Sequence, residues 1–178
     1  MLRGEVLAGE IPDNDIYSLG KLINETRRLA VEYRRATGKP LAVSQEIARY
    51  DAALHLGLRL VEEAEVGIDA IGEGEREGRR ILIKGRAIFD PGKSGARIGQ
   101  LKLERDWDWL VLVLMDEELQ PTEIFEVDRN AVLDALDQTK NSNRAKRGAL
   151  SVAAIRHIGE LAWSRERGLE EPVWTNHD

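Results

Sequence analysis

The sequence predicts an α/β or α+β domain in which helices flank a small, mixed, four-stranded sheet. Apolar residues recur at helical spacing towards both ends of the chain and alternate at strand spacing in its middle. One continuous apolar run, residues 107–115, is typical of a central strand that is buried on both faces. Helices before and after a block of strands indicate one layered core. We expect a single domain over residues 15–165, with irregular tails at 1–14 and 166–178.

The first predicted helix covers residues 15–36 and is additional to the helices that flank the sheet. Steps of three and four residues place on its inward stripe Ile16, Leu19, Ile23 and Ala30, with Leu22 and Leu29 beside them. The arginine pairs at 27–28 and 34–35 fall largely outside this stripe. Gly38 and Pro40 are expected to end the helix.

A second helix is predicted over residues 45–60, with Ser44 as its N-cap. Its buried face is expected to contain Ile47 and Leu54 at helical spacing. The neighbouring face carries Glu46, whose simplest role is to interact favourably with the helix dipole from the first turn.

After the second helix the apolar period changes to that of strands. Residues 65–71 and 79–89 predict a hairpin joined by a polar turn at 73–78. An irregular segment at 90–106 leads to the central strand, and residues 122–127 predict an edge or neighbouring strand.

Two further helices are predicted after the strands. Asp128 is expected to cap a short helix that ends near Leu136, and Ser151 to cap a final helix that ends near Arg165. A polar, basic loop, residues 138–148, separates them.

The composition excludes several kinds of chemistry. The chain contains no cysteine, which rules out disulfides, thiolate metal ligands and cysteine nucleophiles and is expected of a cytoplasmic protein. No apolar run reaches the length of about 20 residues that a membrane-spanning helix needs, and acids interrupt the N-terminus where a signal peptide would be apolar. The net charge is −6, so binding to nucleic acid would require a local basic patch.

The predicted hairpin carries an acid and a lysine that suit phosphodiester hydrolysis. Asp69 lies on the first strand and Lys84 on the second. Because side chains alternate between the two faces of a strand, each of these residues has a defined face of the sheet. If the two share one side of the sheet, the carboxylate could hold a divalent cation that activates water while the ammonium stabilises the transition state. A cross-strand salt bridge between the two residues is the alternative.

These residues resemble the signature of the PD-(D/E)xK, or restriction-endonuclease-like, superfamily, which has an acid at a strand end, a turn, and apolar-x-Lys on the next strand. The chain is similar to a group of small bacterial proteins within it in the order and spacing of "GKPLAVSQEIARYDAALHLGLRL", "GIDAI", "ILIKGR", "DWDWLVLVLMDEEL" and "RGALSV". The resemblance covers roughly residues 20–163. It implies a restriction-endonuclease-like core and a nuclease that uses Mg²⁺ or Mn²⁺ and acts on nucleic acid, expected to be DNA. It also allows a homodimer, because many nucleases of this type dimerise.

Carried over position by position, the resemblance makes Asp69 the principal metal-binding acid and Lys84 the catalytic lysine. Glu46 matches the acid on the helix before the core sheet, and it would be both a metal ligand and part of the catalytic set.

One position departs from the signature. The second acid or amide should stand where the chain has Leu82, which cannot ligate a metal, although hard divalent cations need several oxygen ligands. Glu46 together with the backbone carbonyl of Ile83 is one substitute, and a loop acid such as Glu73 or Glu75 is another.

The expected nucleic-acid contacts come from the hairpin and from two basic loops, at 91–99 and 141–148. They are Arg86, Lys93, Arg97, Arg144, Lys146 and Arg147. Ordinary solvated loops are the alternative. The sequence therefore leaves three functions open. They are a metal-dependent nuclease, a catalytically inactive nuclease-fold module that binds nucleic acid or a protein partner, which Leu82 favours, and a structural or regulatory protein that pairs through its helices.

Overall fold

The computed structural model describes residues 18–61, 67–93, 95–138 and 148–169. Within these ranges the chain forms four α-helices and seven strands. Their bounds are α1 Leu19–Thr37, α2 Ser44–Leu56, β1 Leu58–Leu60, β2 Ala70–Gly72, β3 Arg80–Ala87, β4 Trp109–Met115, β5 Pro121–Asp128, α3 Arg129–Gln138, α4 Val152–Ile158, β6 Glu160–Ser164 and β7 Gly168–Leu169.

The seven strands form one mixed sheet in which spatial order follows chain order. Neighbouring strands are antiparallel except β3 and β4, which are parallel and pair from Ile81 opposite Trp109 to Ala87 opposite Met115. The predicted α/β or α+β class is therefore confirmed, but the predicted number of four strands is wrong. Strand β7 lies beyond residue 165, in the segment that was expected to be an irregular tail.

Two of the additional strands occupy segments predicted as helix. Helix α2 ends at Gly57, whose φ of 64° is left-handed, and the next three residues form β1 against β2. Helix α4 likewise ends before Gly159, and residues 160–164 form β6 against β5. Strand β5 is thus a neighbouring strand inside the sheet. In both places pairing with a neighbouring strand outweighs the helical spacing of the apolar residues.

The sheet separates two hydrophobic cores. Helices α1 and α2 cover one face, and α3 and α4 cover the other together with residues of the β3–β4 connection. Strand β4 supplies both cores, with Val111 and Val113 on the first side and Leu110 and Leu112 on the second. All four side chains are fully buried, which confirms the predicted central strand.

The helix caps agree with the sequence in two of three cases. The Asp128 carboxylate accepts from the N–H groups of residues 130 and 131 at 2.9 and 3.1 Å, and the Ser151 hydroxyl accepts from Ala154 at 3.0 Å. Ser44, in contrast, is the first helical residue, and Val43 at the cap position provides no side-chain hydrogen bond. In the described part of the chain, no helix is long and apolar enough to cross a bilayer.

Helix α1 buries only part of the predicted stripe. Ile23 and Ala30 of that stripe are buried, together with Arg27, while Ile16 lies outside the described residues. Three leucines expected on or beside the inward stripe are exposed instead: Leu19, Leu22 and Leu29. Leu54 of α2, also predicted to be buried, is exposed as well. The apolar side chains of α1 form two stripes, and periodicity alone does not indicate which one faces the core.

Arg27 is buried because α2 and the β4–β5 turn offer it acceptors. Its guanidinium pairs with the Asp51 carboxylate and donates to the backbone carbonyl of Leu119. Burial raises the pKa of Asp51, an effect that Arg27 opposes. One turn further along α2, the ring of His55 stacks on Trp163 with ring centres 4.1 Å apart.

A double-mutant cycle would measure the Arg27–Asp51 pair. Arg27→Met or Asp51→Leu alone leaves a buried charge without its partner and should cost about 3–5 kcal/mol of unfolding free energy in urea. The double variant should regain most of that loss, since two apolar residues replace the pair. If the losses of the two single variants simply add in the double variant, this prediction is wrong. Removing the exposed Arg28–Glu25 pair is the control and should change little.

The stability should also depend on pH through His55. Burial lowers its pKa, while Asp51 raises it and Arg27 lowers it further. A histidine that is harder to protonate in the folded state adds stability above its unfolded pKa of about 6.5, and that stability is lost as pH falls. Urea unfolding at pH 7.5 and 5.5 should therefore show a smaller acid loss in His55→Gln than in wild type. The exposed His157→Gln control should keep the wild-type loss.

Candidate functional site

Asp69 lies immediately before β2, at the point where β2 stops pairing with β3. Its backbone N–H donates to the Ile81 carbonyl at 2.9 Å, and its carboxylate Oδ2 accepts from the Ile83 N–H at 2.8 Å. The residue is only 3% exposed. The carboxylate therefore takes the position of a main-chain acceptor and continues the antiparallel ladder by one further hydrogen bond.

Gln45, in the first turn of α2, completes the same edge of β3. Its Nε2 donates to the Ile83 carbonyl at 2.8 Å, and its Oε1 accepts from the Gly85 N–H at 3.3 Å. Two side chains, from Asp69 and Gln45, thus satisfy three consecutive backbone groups at an edge where no described strand pairs with β3.

Gly85 allows α2 to approach β3 closely enough for these contacts. A Cβ atom at this position would lie 2.5 Å from the Cβ of Ala48 and 2.8 Å from the Ser44 carbonyl oxygen. Real Cβ atoms do not come so close to other atoms, so any larger residue would push the first turn of α2 away from the strand.

Arg49 of α2 stands at the centre of a group of oxygen atoms. Its Nη1 lies 3.3 Å from Oε2 of Glu46, its Nε lies 3.3 Å from Oδ1 of Asp69, and its Nη2 donates to the Val61 carbonyl at 2.9 Å. The Glu46 side chain is 69% exposed, whereas that of Asp69 is 4% exposed. One guanidinium thus compensates a buried and an exposed carboxylate.

The structure therefore brings Glu46 and Asp69 around one cation, but it places Lys84 differently. Ile81 and Ile83 of β3 belong to the core beneath α2, and Leu82 is 4% exposed in the opposite core. Strand alternation directs Lys84 to the side of Leu82, away from α2 and therefore away from Glu46. The half-buried Lys84 pairs in register with Leu112 of β4.

The residues that the resemblance assigns to Mg²⁺ or Mn²⁺ do not fit a divalent cation in this arrangement. Arg49 already contacts both carboxylates, and the Ile83 carbonyl, the expected third ligand, accepts from Gln45. Among the described residues, no three acidic, histidine or cysteine side chains cluster as a metal site would require.

The two loop acids considered as substitutes lie at the other end of the hairpin. The Glu73 carboxylate lies 3.4 Å from Nε of Arg59 on β1, and Glu75 is an exposed residue of the 3₁₀ turn Gly74–Arg76. That end of the sheet is organised by a separate ion pair, in which Arg76 contacts Glu126 of β5 at 2.6 Å.

The expected nucleic-acid residues are exposed where they are described. Arg86, Lys93 and Arg97 all face solvent, and Lys93 lies 3.6 Å from Asp90. The N–H groups of Ile98 and Leu101 donate to carbonyls of residues 150 and 148, so the segments that border the two basic loops run side by side. The remaining three expected residues lie outside the described residues: Arg144, Lys146 and Arg147.

Sequence reasoning missed two residues of the site, Gln45 and Arg49. Arg49 stands three positions after Glu46, a spacing at which helical side chains meet, so the sequence contained a signal for that ion pair. Nothing in the spacing of Gln45 indicated that its amide would bind the backbone of a strand 38 residues later.

Replacing Asp69 should destabilise the protein whether or not it is an enzyme. Asp69→Ala leaves the buried Ile83 N–H without this acceptor and weakens the charge compensation of Arg49, at an expected cost of about 3 kcal/mol in urea unfolding. Asp69→Asn keeps an acceptor oxygen and should lose less. Asp106→Ala, at an acid whose side chain is 91% exposed, is the control. Wild-type stability in Asp69→Ala would refute this role.

Comparison with protein-family models and with curated proteins found no match for this chain.

Proposed function

We propose that this chain is a nuclease-like protein that binds nucleic acid, expected to be DNA, without hydrolysing it. The observation that carries the proposal is the guanidinium of Arg49 between the carboxylates of Glu46 and Asp69. A permanently charged side chain compensates the carboxylates that a metal-dependent nuclease would use for its cation. A divalent ion would have to displace this group and bring the two acids closer together.

Three further features support a non-hydrolytic function. The Ile83 carbonyl accepts a hydrogen bond from Gln45, and Leu82 packs in the core instead of providing a ligand. Lys84 leaves β3 on the side opposite α2, so it does not approach Glu46 across the sheet. A reaction centre needs its groups to converge on one phosphate, whereas Lys84 and Glu46 belong to opposite sides of the sheet.

The architecture is compatible with the superfamily that the sequence resembles. A β2–β3 hairpin is followed by a strand parallel to β3, and helices cover both faces of the mixed sheet. Asp69 and Lys84 occupy the hairpin in the order that the signature requires. These features support membership of a restriction-endonuclease-like group, in which fold and chemistry need not be retained together.

The basic residues support nucleic acid as the partner. Arg86, Lys93 and Arg97 are exposed, and the backbone pairing of residues 96–101 with 148–152 holds the ends of both basic loops together. Because the chain has a net charge of −6, attraction to phosphate would be confined to such a local patch.

A metal-dependent nuclease is the second candidate, and one observation favours it. Glu46, Asp69 and the Val61 carbonyl surround a single cationic group, so displacement of Arg49 would leave three oxygen atoms facing a common space. Three oxygens form part of the ligand set that hard divalent cations prefer.

Calorimetry with Mn²⁺ would distinguish the two candidates. The non-hydrolytic proposal expects no saturable heat with wild-type protein and no cleavage of single- or double-stranded DNA in Mn²⁺ or Mg²⁺. Arg49→Ala, checked for folding by circular dichroism, should gain measurable Mn²⁺ binding because it frees both carboxylates. Wild-type cleavage that requires metal and disappears in Asp69→Asn, with folding retained, would establish the second candidate.

Two matched triple variants would test nucleic-acid binding. The first removes the exposed basic residues of the proposed surface: Arg86, Lys93 and Arg97. The second removes two arginines and one lysine from other exposed positions: Arg35, Lys39 and Arg59. The first variant alone should weaken binding in fluorescence anisotropy and reduce the slope of log K against log salt by about 0.9 for each phosphate that is no longer neutralised. Equal effects of both variants would indicate attraction without a defined surface.

A further inference from the structure

The outer face of α1 carries a second apolar stripe, which faces solvent. Its large members are Leu19, Leu22, Leu29 and Tyr33, whose exposed fractions are 43%, 48%, 59% and 42%. With Thr26 and Ala36 they follow one another at steps of 3, 4, 3, 4 and 3 residues. This is the spacing of the a and d positions of a heptad, the pattern by which one helix packs along another.

The outer stripe is distinct from the stripe that attaches α1 to the domain. The inner stripe contains Ile23, Arg27 and Ala30, which are buried against α2 and the β4–β5 turn. A helix at the surface of a domain normally needs one apolar stripe, with polar residues on its other side. Since α1 has two, its outer side is built for a second packing partner.

We propose that the outer stripe of α1 pairs two copies of this chain, helix against helix. Within the described residues, α1 has the exposed heptad stripe that such packing requires, so a second copy provides a matching surface by symmetry. Thr26 is compatible with the centre of that contact, because its hydroxyl already donates to the Leu22 carbonyl at 2.8 Å and needs no acceptor from the second copy.

The charges beside the stripe favour a second copy, because acids and arginines alternate there. Glu25 and Glu32 border the stripe. Each acid is paired within the helix, with Arg28 at 2.7 Å and with Arg35 at 3.1 Å, and these side chains are more than half exposed. When the borders of two copies meet, each glutamate can pair with an arginine of its own copy or of the other copy. The charges of the two surfaces are therefore complementary.

The size of the stripe sets the expected strength of the dimer. Four partly exposed apolar side chains on a helix about 28 Å long bury less than about 1,200 Å² in total, the low end of specific interfaces. The dimer should therefore form at micromolar concentrations and dissociate on dilution.

Sedimentation equilibrium of the full chain tests the pairing directly. The average mass should rise from monomer towards dimer as concentration increases from about 1 to 300 μM, which brackets the micromolar strength expected of a small interface. Leu22→Glu with Leu29→Glu should remain monomeric, with an unchanged thermal unfolding midpoint because both side chains are exposed. Leu133→Glu, at an exposed leucine of α3, should dimerise as wild type does. A wild-type monomer throughout, or a dimer that the double variant retains, would overturn the proposal.

Disulfide trapping provides a second, independent test, because the chain has no cysteine of its own. Leu22→Cys with Tyr33→Cys should form covalent dimers under mild oxidation in either helix orientation. In a parallel pair position 22 faces position 22 of the other copy, and in an antiparallel pair it faces position 33. Asn24→Cys with Arg35→Cys has the same separation on the polar side of α1 and is the matched control. Equal trapping of the two variants would overturn the proposal, and neither test depends on whether the chain binds nucleic acid.

Discussion

Beyond Ile81, no described strand pairs with β3 on its β2 side, and side chains complete its hydrogen bonding instead. The Asp69 carboxylate accepts from the Ile83 N–H, and Gln45 serves the Ile83 carbonyl and the Gly85 N–H. Buried backbone groups must be paired, and each one left unpaired costs about 1–3 kcal/mol. This requirement fixes the position of Asp69 and of the first turn of α2, and with that turn the positions of Glu46 and Arg49.

The same requirement limits the chemistry available to Asp69. A carboxylate at 3% exposure needs a compensating positive charge, and Arg49 provides one from α2. The exposed Glu46 shares that charge from the other side. Asp69 thus has a structural role that is complete without a metal or a substrate. An acid at a signature position is therefore not sufficient evidence of catalysis, because the signature does not specify which cation the acid meets.

Local patterns predicted the elements whose own residues carry an unambiguous signal. The continuous apolar run predicted β4, and the polar side chains of Asp128 and Ser151 cap the helices that follow them. The segments after Gly57 and Gly159 were misassigned, because β1 and β6 are defined by pairing with strands elsewhere in the chain. The site followed the same rule. The sequence predicted that Asp69 and Glu46 lie close together. The contacts of Gln45 and Arg49, in contrast, depend on how α2 packs against β3.

The way in which Asp69 and Gln45 cover β3 also bears on solubility. A strand edge with free N–H and carbonyl groups is a template on which a foreign extended segment can assemble, and it is a common starting point for aggregation. Here the stretch of β3 that no described strand pairs with is short, and two residues of the same molecule occupy its hydrogen-bonding groups. These two polar side chains therefore also protect the sheet from growing by addition of further strands.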